Sequence, residues 1–334
     1  MGVVAVGLLL LLGLLFAVSL SVGAQPVSLP AVWAAVMHPD GGRDAIIVWQ
    51  LRMPRTLLAV GVGVLLAVAG VLMQAITRNP LAEPGLLGVN AGASLAVVIT
   101  IGVFGMGQRG AVMGAACLGA AGAAVVVMLV AVRSGQRAES TRLVLAGAAL
   151  TASLSSVTGV ITLADERTFG DYRSWVIGSV ANRDLADMGW LIPVAVIVVL
   201  GAMLLAQPVE LLAMGDEAAA SLGVAVPTVR LLGFALVVVA CGSATAVAGP
   251  ISFVGLVVPH AVRLLLGNRM RAVLLGSLFA GATLLLTADI IGRVVAPPGE
   301  LEAGIVTAFI GAPVLIGLVL RRRRIAVPTP PGEW

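Results

Sequence analysis

Residues 207–228 read QPVELLAMGDEAAASLGVAVPT, a polar interruption with a proline near each end, set between two apolar runs at 188–206 and 229–248. A stretch carrying Glu210, Asp216 and Glu217 is too costly to place in hydrocarbon and must lie on one side of it. A bilayer-spanning helix needs roughly 20 apolar residues. Applied outward from the interruption, that ruler finds candidate spans at about 3–23, 54–75, 86–104, 111–132, 141–163, 188–206, 229–248, 251–266, 272–291 and 303–320. The fold class that follows is an all-α polytopic membrane protein of about ten transmembrane helices. It forms a single domain over 1–334, with 207–228 as a loop outside the membrane and 321–334 as a tail.

Composition agrees. Hydrophobic residues make up 60% of the 334 and charged residues 11%, a balance that belongs to membrane proteins. Every basic residue is arginine. Without lysine the chain can build neither a phosphate-binding P-loop nor a Schiff base, so ATP chemistry would have to sit on another polypeptide. The net charge of +4 does not point to nucleic acid, because the arginines sit at span ends, where they orient helices in the membrane. Cys117 and Cys241 each stand in an apolar run and read as packing residues. His38 and His260 are too isolated to make a metal cluster, and no HExxH or GxSxG pattern marks an intramembrane enzyme. No cofactor is expected.

The first run resembles a signal peptide in ending at SVGA, yet it lacks a positive n-region and its apolar run is too long, so it reads as a retained span. Ten spans place both termini on one side, and Arg321–Arg324 after the last span mark that side as cytoplasmic. Arg78, Arg133, Arg137, Arg142, Arg230, Arg263, Arg269 and Arg271 then also fall inside, giving the cytoplasmic segments the larger share of positive charge. Trp33, Trp49, Tyr172, Trp175 and Trp190 fall near the outer interface, where amphipathic rings prefer to sit. In this topology 207–228 faces the cytoplasm, and its short helical pattern reads as a surface where a separate protein docks.

Glycines recur within the spans, among them Gly61, Gly63 and Gly70 in the second and Gly114, Gly119 and Gly122 in the fourth. Small residues let helix backbones approach closely where lipid gives no hydrophobic driving force. Two interruptions match: NPLAEPG (79–85) after the second span, and Gly249-Pro250 after the seventh, with Pro259 following. Breaks at corresponding points of two halves point to the internal repeats of a transporter. Spans 2–5 and 7–10 would be those repeats, and they start on opposite sides, hence inverted.

Five motifs in order carry a resemblance: LRMPR (51–55) before a span ending in Gly70 and Gln74, RNPLAEPGLLGVNAGAS (78–94), GDEAAASLGV (215–224), GPISFVGLVVPHAVR (249–263) and GIVTAFIGAPVLIGLVLRRRR (304–324). They resemble the permease subunits of ABC importers for iron–siderophore, haem and cobalamin, the FecCD/BtuC family, over nearly the whole chain. The resemblance implies a permease dimer around one pathway, two cytoplasmic ABC ATPase subunits and an extracytoplasmic substrate-binding protein, in a bacterial cell membrane. An iron–siderophore is the expected cargo.

By the same resemblance Gly215, Asp216, Glu217, Ala218, Ser221, Leu222 and Gly223 form the coupling surface for the ATPase. The acidic pair also suits a helix N-terminus, where the exposed N–H groups and dipole favour negative charge. Arg52, Arg55 and Arg293 match outer arginines that receive carboxylates of the binding protein. Asn79, Leu81, Ser140 and Thr141 match residues that narrow the cytoplasmic end of the pathway. The chain departs from the family at Glu302, which stands where members usually have proline at the start of the last span. The competing reading is an ion- or proton-coupled secondary transporter centred on Asp289, since an ionisable residue inside an apolar run is a functional candidate. Arg293 lies four residues on, on the same helix face, and a local ion pair accounts for Asp289 more simply.

Overall fold

The computed structural model describes residues 2–23, 25–38, 41–132, 139–181, 185–296 and 299–325, and among them every regular element is helical. Helix α1 (Gly2–Ser21) leads through two short helices, α2 (Leu29–Met37) and α3 (Arg43–Ile46), and a π-helical stretch, Ile47–Arg52, into α4 (Met53–Ile76). Then come α5 (Val89–Val98), α6 (Arg109–Val132), α7 (Glu139–Ala164), α8 (Glu166–Val176), α9 (Met188–Leu212) and α10 (Asp216–Ser221). The last four are α11 (Val226–Ala248), α12 (Val254–Leu266), α13 (Met270–Val295) and α14 (Ala303–Ile325). Among the described residues seven helices are long and apolar enough to cross a membrane, and three shorter apolar helices lie at Val89–Val103, Val254–Leu266 and Ala303–Gly317. A helix stands at each candidate span.

One boundary is corrected. Residues 207–212 do not belong to a separate polar segment: α9 continues through Pro208 to Leu212, and only α10 lies in the loop proper. The proline is accommodated inside the helix, and Val209 and Leu212 are buried there. Glu210, on the same last turn, accepts the Met270 N–H at 3.3 Å and so fixes the start of α13.

Helix α4 is the centre of the bundle. It packs against α9, α11, α12 and α13, and its buried residues cover every face, as expected of a helix apolar all round. Two contacts are backbone to backbone. A Cβ on Gly63 would stand 2.4 Å from the Gly281 carbonyl of α13, and one on Gly70 would stand 2.0 Å from the Gly255 carbonyl of α12. Gln74, one turn below Gly70, donates from Nε2 to the Gly255 and Leu256 carbonyls at 3.0 and 3.3 Å, and its Oε1 accepts from Arg263. By contrast α7 is hardly covered, whereas most of α4 is buried.

The helix order around each break repeats. Helices α4, α5, α6 and α7 have 24, 10, 24 and 26 residues, and α11, α12, α13 and α14 have 23, 13, 26 and 23. Each short helix is entered from a left-handed residue, Gly88 at φ 72 and Phe253 at φ 71. The two breaks are also joined: Glu83 Oε1 accepts the Phe253 N–H at 2.7 Å, capping α12 from the opposite half.

Because the α4–α12 contact leaves no room for a methyl group, Gly70→Ala is expected to cost about 1–3 kcal/mol by overpacking. Gly122→Ala, with nothing within 4 Å of its Cβ position, is expected to leave the thermal midpoint in detergent unchanged. Equal midpoints for the two variants would contradict this packing.

Candidate functional site at the two ends of α4

At 24 residues, α4 is about 36 Å long at roughly 1.5 Å per residue. Its ends therefore stand on opposite sides of a hydrocarbon layer about 30 Å thick, and each end carries a charged cluster.

The first cluster brings Arg55 and Arg293 onto Asp289, with Arg52 nearby at the end of α1. Asp289 is fully buried. Its Oδ1 accepts from Arg55 Nε at 2.8 Å and its Oδ2 from Arg293. Arg55 also reaches Glu300 at 2.6 Å. Arg293 donates to the Ser19 carbonyl at 2.8 Å and to Ser19 Oγ at 3.1 Å, and Ser19 Oγ meets Thr56 Oγ1 at 2.6 Å. Arg52 donates to the Leu20 carbonyl at 2.6 Å and to that of Gln25. Two arginines thus satisfy carbonyls that the end of α1 leaves without helical partners. Arg52 and Arg293 are each 6% exposed, and the less enclosed members are Arg55 and Glu300, with side chains 12% and 35% exposed.

The expected Asp289–Arg293 pair is present. What the sequence did not offer is Arg55 as a second partner, 234 residues away, or the use of Arg52 and Arg293 to cap α1. With both oxygens held by guanidinium groups, Asp289 has the partners a buried charge requires.

At the other end, α4 stops in a turn in which Asn79 N–H returns to the Gln74 carbonyl at 3.1 Å and Arg78 N–H to that of Ala75 at 3.2 Å. Asn79 Oδ1 then accepts the Leu81 N–H at 3.0 Å, and both Asn79 and Leu81 are half-buried. Ser140 and Thr141 stand in the first turn of α7, but their side chains lie outside the described residues. Glu83 follows on the same loop. Burial pushes its carboxyl up, an effect that the Phe253 N–H partly offsets.

Beside this turn lies α10. Gly215 precedes it at φ 116, and Asp216 and Glu217 occupy its first turn. It closes with Val224 N–H on the Ala219 carbonyl at 3.0 Å and Gly223 N–H on that of Ala220 at 2.9 Å, with Gly223 at φ 86. Asp216 is held by Arg78 and, at 3.0 Å, by Arg230 of α11. Ala219 is buried against the bundle, while Met214 and Leu222 are 69% and 59% exposed. Ala218 is half-buried, and Glu217, Ser221 and Gly223 are exposed.

A polytopic helical bundle with two matching breaks and a charged cluster on each side defines a membrane transport protein. The chain belongs to the FecCD transport family, whose model matches residues 9–321. It is 42% identical over 318 residues to the ferric enterobactin transport system permease protein FepD of Escherichia coli (strain K12), covering 95% of each chain. It is 40% identical to the Fe(3+)-citrate import system permease protein YfmD of Bacillus subtilis (strain 168), covering 92% of this chain and 91% of the relative. Among solved structures, a metal-chelate type ABC transporter in an inward-facing conformation superposes with a TM-score of 0.86 at 28% identity, covering 96% of this chain and all of that one.

Two pairs of substitutions test the clusters. Asp289→Ala strands two buried guanidinium groups and is expected to cost about 3–5 kcal/mol, against less than about 1 kcal/mol for Glu300→Ala at the exposed rim. Glu83→Ala leaves the Phe253 N–H without its acceptor, at about 1–3 kcal/mol, whereas Glu83→Gln keeps an acceptor without a buried charge and is expected to stay near wild type. Thermal midpoints of the purified variants decide both.

Proposed function

We propose that the chain is the permease subunit of an ATP-binding-cassette importer that carries a metal chelate of the ferric-siderophore kind. Family membership supports the class, and the relatives named for ferric enterobactin and Fe(3+)-citrate support the cargo. The observation that carries the coupling part is α10. Met214 and Leu222 present apolar side chains at the polar end of the bundle, outside the spans, and an exposed apolar patch rimmed by polar groups marks a protein contact. The partner that fits is an ATPase, because this lysine-free chain has no P-loop of its own. On this reading α10 and both termini lie in the cytoplasm and the Asp289 cluster lies outside.

Two permeases enclose the pathway, each with one ATPase below it. The thinly covered α7 supports a second subunit here, since it exposes Ser153, Ser155 and Ser156 where a lipid-facing helix gains nothing from hydroxyls. Ser153 and Ser156 also bond the Ala149 and Ala152 carbonyls at 2.9 Å. Asn79 and Leu81, with Ser140 and Thr141, narrow the cytoplasmic end. On the outside, a substrate-binding protein docks on the arginine cluster. Arg55 and Glu300 meet it first, with Arg52 and Arg293 behind them holding α1. Charge complementarity at such a rim speeds and orients encounter. Glu302 starts α14 with its backbone, accepting Ile305 N–H at 3.0 Å, so the helix begins there without proline.

Leu222→Asp tests the coupling surface. It is a surface change, expected to alter stability by no more than about 0.5 kcal/mol. Loss of a buried interface anchor of about 2 kcal/mol would cut the ATPase recovered with the permease severalfold, and uptake of ferric enterobactin or ferric citrate with it. Unchanged ATPase recovery and uptake would overturn the reading. Uptake that persists with no ATPase present would favour the secondary transporter.

A further inference from the structure

The two turns that close α4 and α10 have the same hydrogen-bond pattern, a return from the second residue past the cap and one from the residue before it. The residue at the left-handed position differs. In α10 it is Gly223 at φ 86; in α4 it is Arg78 at φ 50. Glycine is the usual occupant of this position because an L side chain is disfavoured there. A strained, non-glycine residue is an observation that calls for a function. The side chain supplies one. The Arg78 guanidinium crosses to α10 and bonds Asp216, the first residue of that helix, which Arg230 also holds at 3.0 Å.

The pairing adds little to stability. The Arg78 and Asp216 side chains are 38% and 43% exposed, and ion pairs of that exposure are worth little in water. Set against the strained backbone, Arg78 brings the fold no net gain. Position explains it better. The next residue is Asn79, and the chain from Arg78 to Ala82 is a hooked turn: Asn79 Oδ1 takes the Leu81 N–H and the Asn79 carbonyl takes the Ala82 N–H, each at 3.0 Å. A displacement of α10 therefore acts on Asn79 and Leu81 through one side chain.

We propose that Arg78 is a positioning residue that ties the coupling helix to the cytoplasmic narrowing, so that movement imposed on α10 by the ATPase is passed to Asn79 and Leu81. The proposal rests on the readings of 215–223 as the ATPase contact and of 79–81 as the gate.

The experiment uses the full complex with its ATPase in lipid nanodiscs, with Cys117 and Cys241 replaced by serine and Leu81→Cys as reporter. Maleimide labelling of that cysteine is compared without nucleotide and with ATP. In the parent the labelling rate changes on ATP binding. Arg78→Gly removes the guanidinium and suits the left-handed turn, so the thermal midpoint and ATPase recovery hold. The ATP-dependent change is expected to shrink about five- to tenfold, within the range of measured coupling between sites. Arg78→Lys keeps a charge within reach of Asp216 and restores most of the change. A full response in Arg78→Gly, or no restoration by Arg78→Lys, overturns the tie. Loss of the ATPase from Arg78→Gly also overturns it, by making Arg78 part of the docking surface. No response in the parent overturns the gate reading, and the proposal with it, while the ATPase contact is judged separately by Leu222→Asp.

Discussion

The bundle depends on α4 lying backbone against backbone on α12 and α13, through Gly70 on Gly255 and Gly63 on Gly281. Lipid offers little hydrophobic drive for helix association, so dispersion contacts at close range and satisfied polar groups must hold the helices together. Gln74 exploits that closeness: two α12 carbonyls and Arg263 all fall within reach of one amide. A helix fixed so firmly at its middle presents its two ends as defined platforms, and the charged clusters stand on them.

The breaks follow from the same constraint. Backbone that leaves a helix within a packed bundle must find other partners for its polar groups. After α4 the chain pairs itself through the Asn79 turn, and after α11 the part-buried Phe253 amide is met by Glu83 from the other half. The breaks are thus bonded to each other, which keeps α5 and α12 in place while leaving them short.

Much of this was legible in the sequence, and the missed parts share a cause. Apolar runs and polar breaks are local signals, so the helices and the α10 loop emerged from them, while the family was legible in the resemblance of five ordered motifs. The Asp289–Arg293 pair was legible because four residues on a helix bring two side chains together. Nothing local announced that Arg55 would join from α4, that Arg52 would cap α1, or that Pro208 would sit inside α9 without ending it. Long-range partners and backbone angles are set by packing. Arg78 is the clearest case, since its left-handed φ is visible only once the turn has closed, although a helix end lacking glycine was a readable hint.

Together these features describe a permease in which the small α10 loop is joined by the Arg78–Asp216 pair to the turn that ends α4, with a buried ion cluster at the opposite end of α4. The claim at the centre is that α10 is where another protein delivers work. Site-specific cross-linking from Glu217→Cys, in a chain whose two native cysteines are replaced by serine, tests it most directly. The account predicts a cross-link to the ATPase whose yield changes between nucleotide-free and ATP-bound complex. An intact, ATP-hydrolysing complex in which Glu217→Cys forms no cross-link to the ATPase would contradict it.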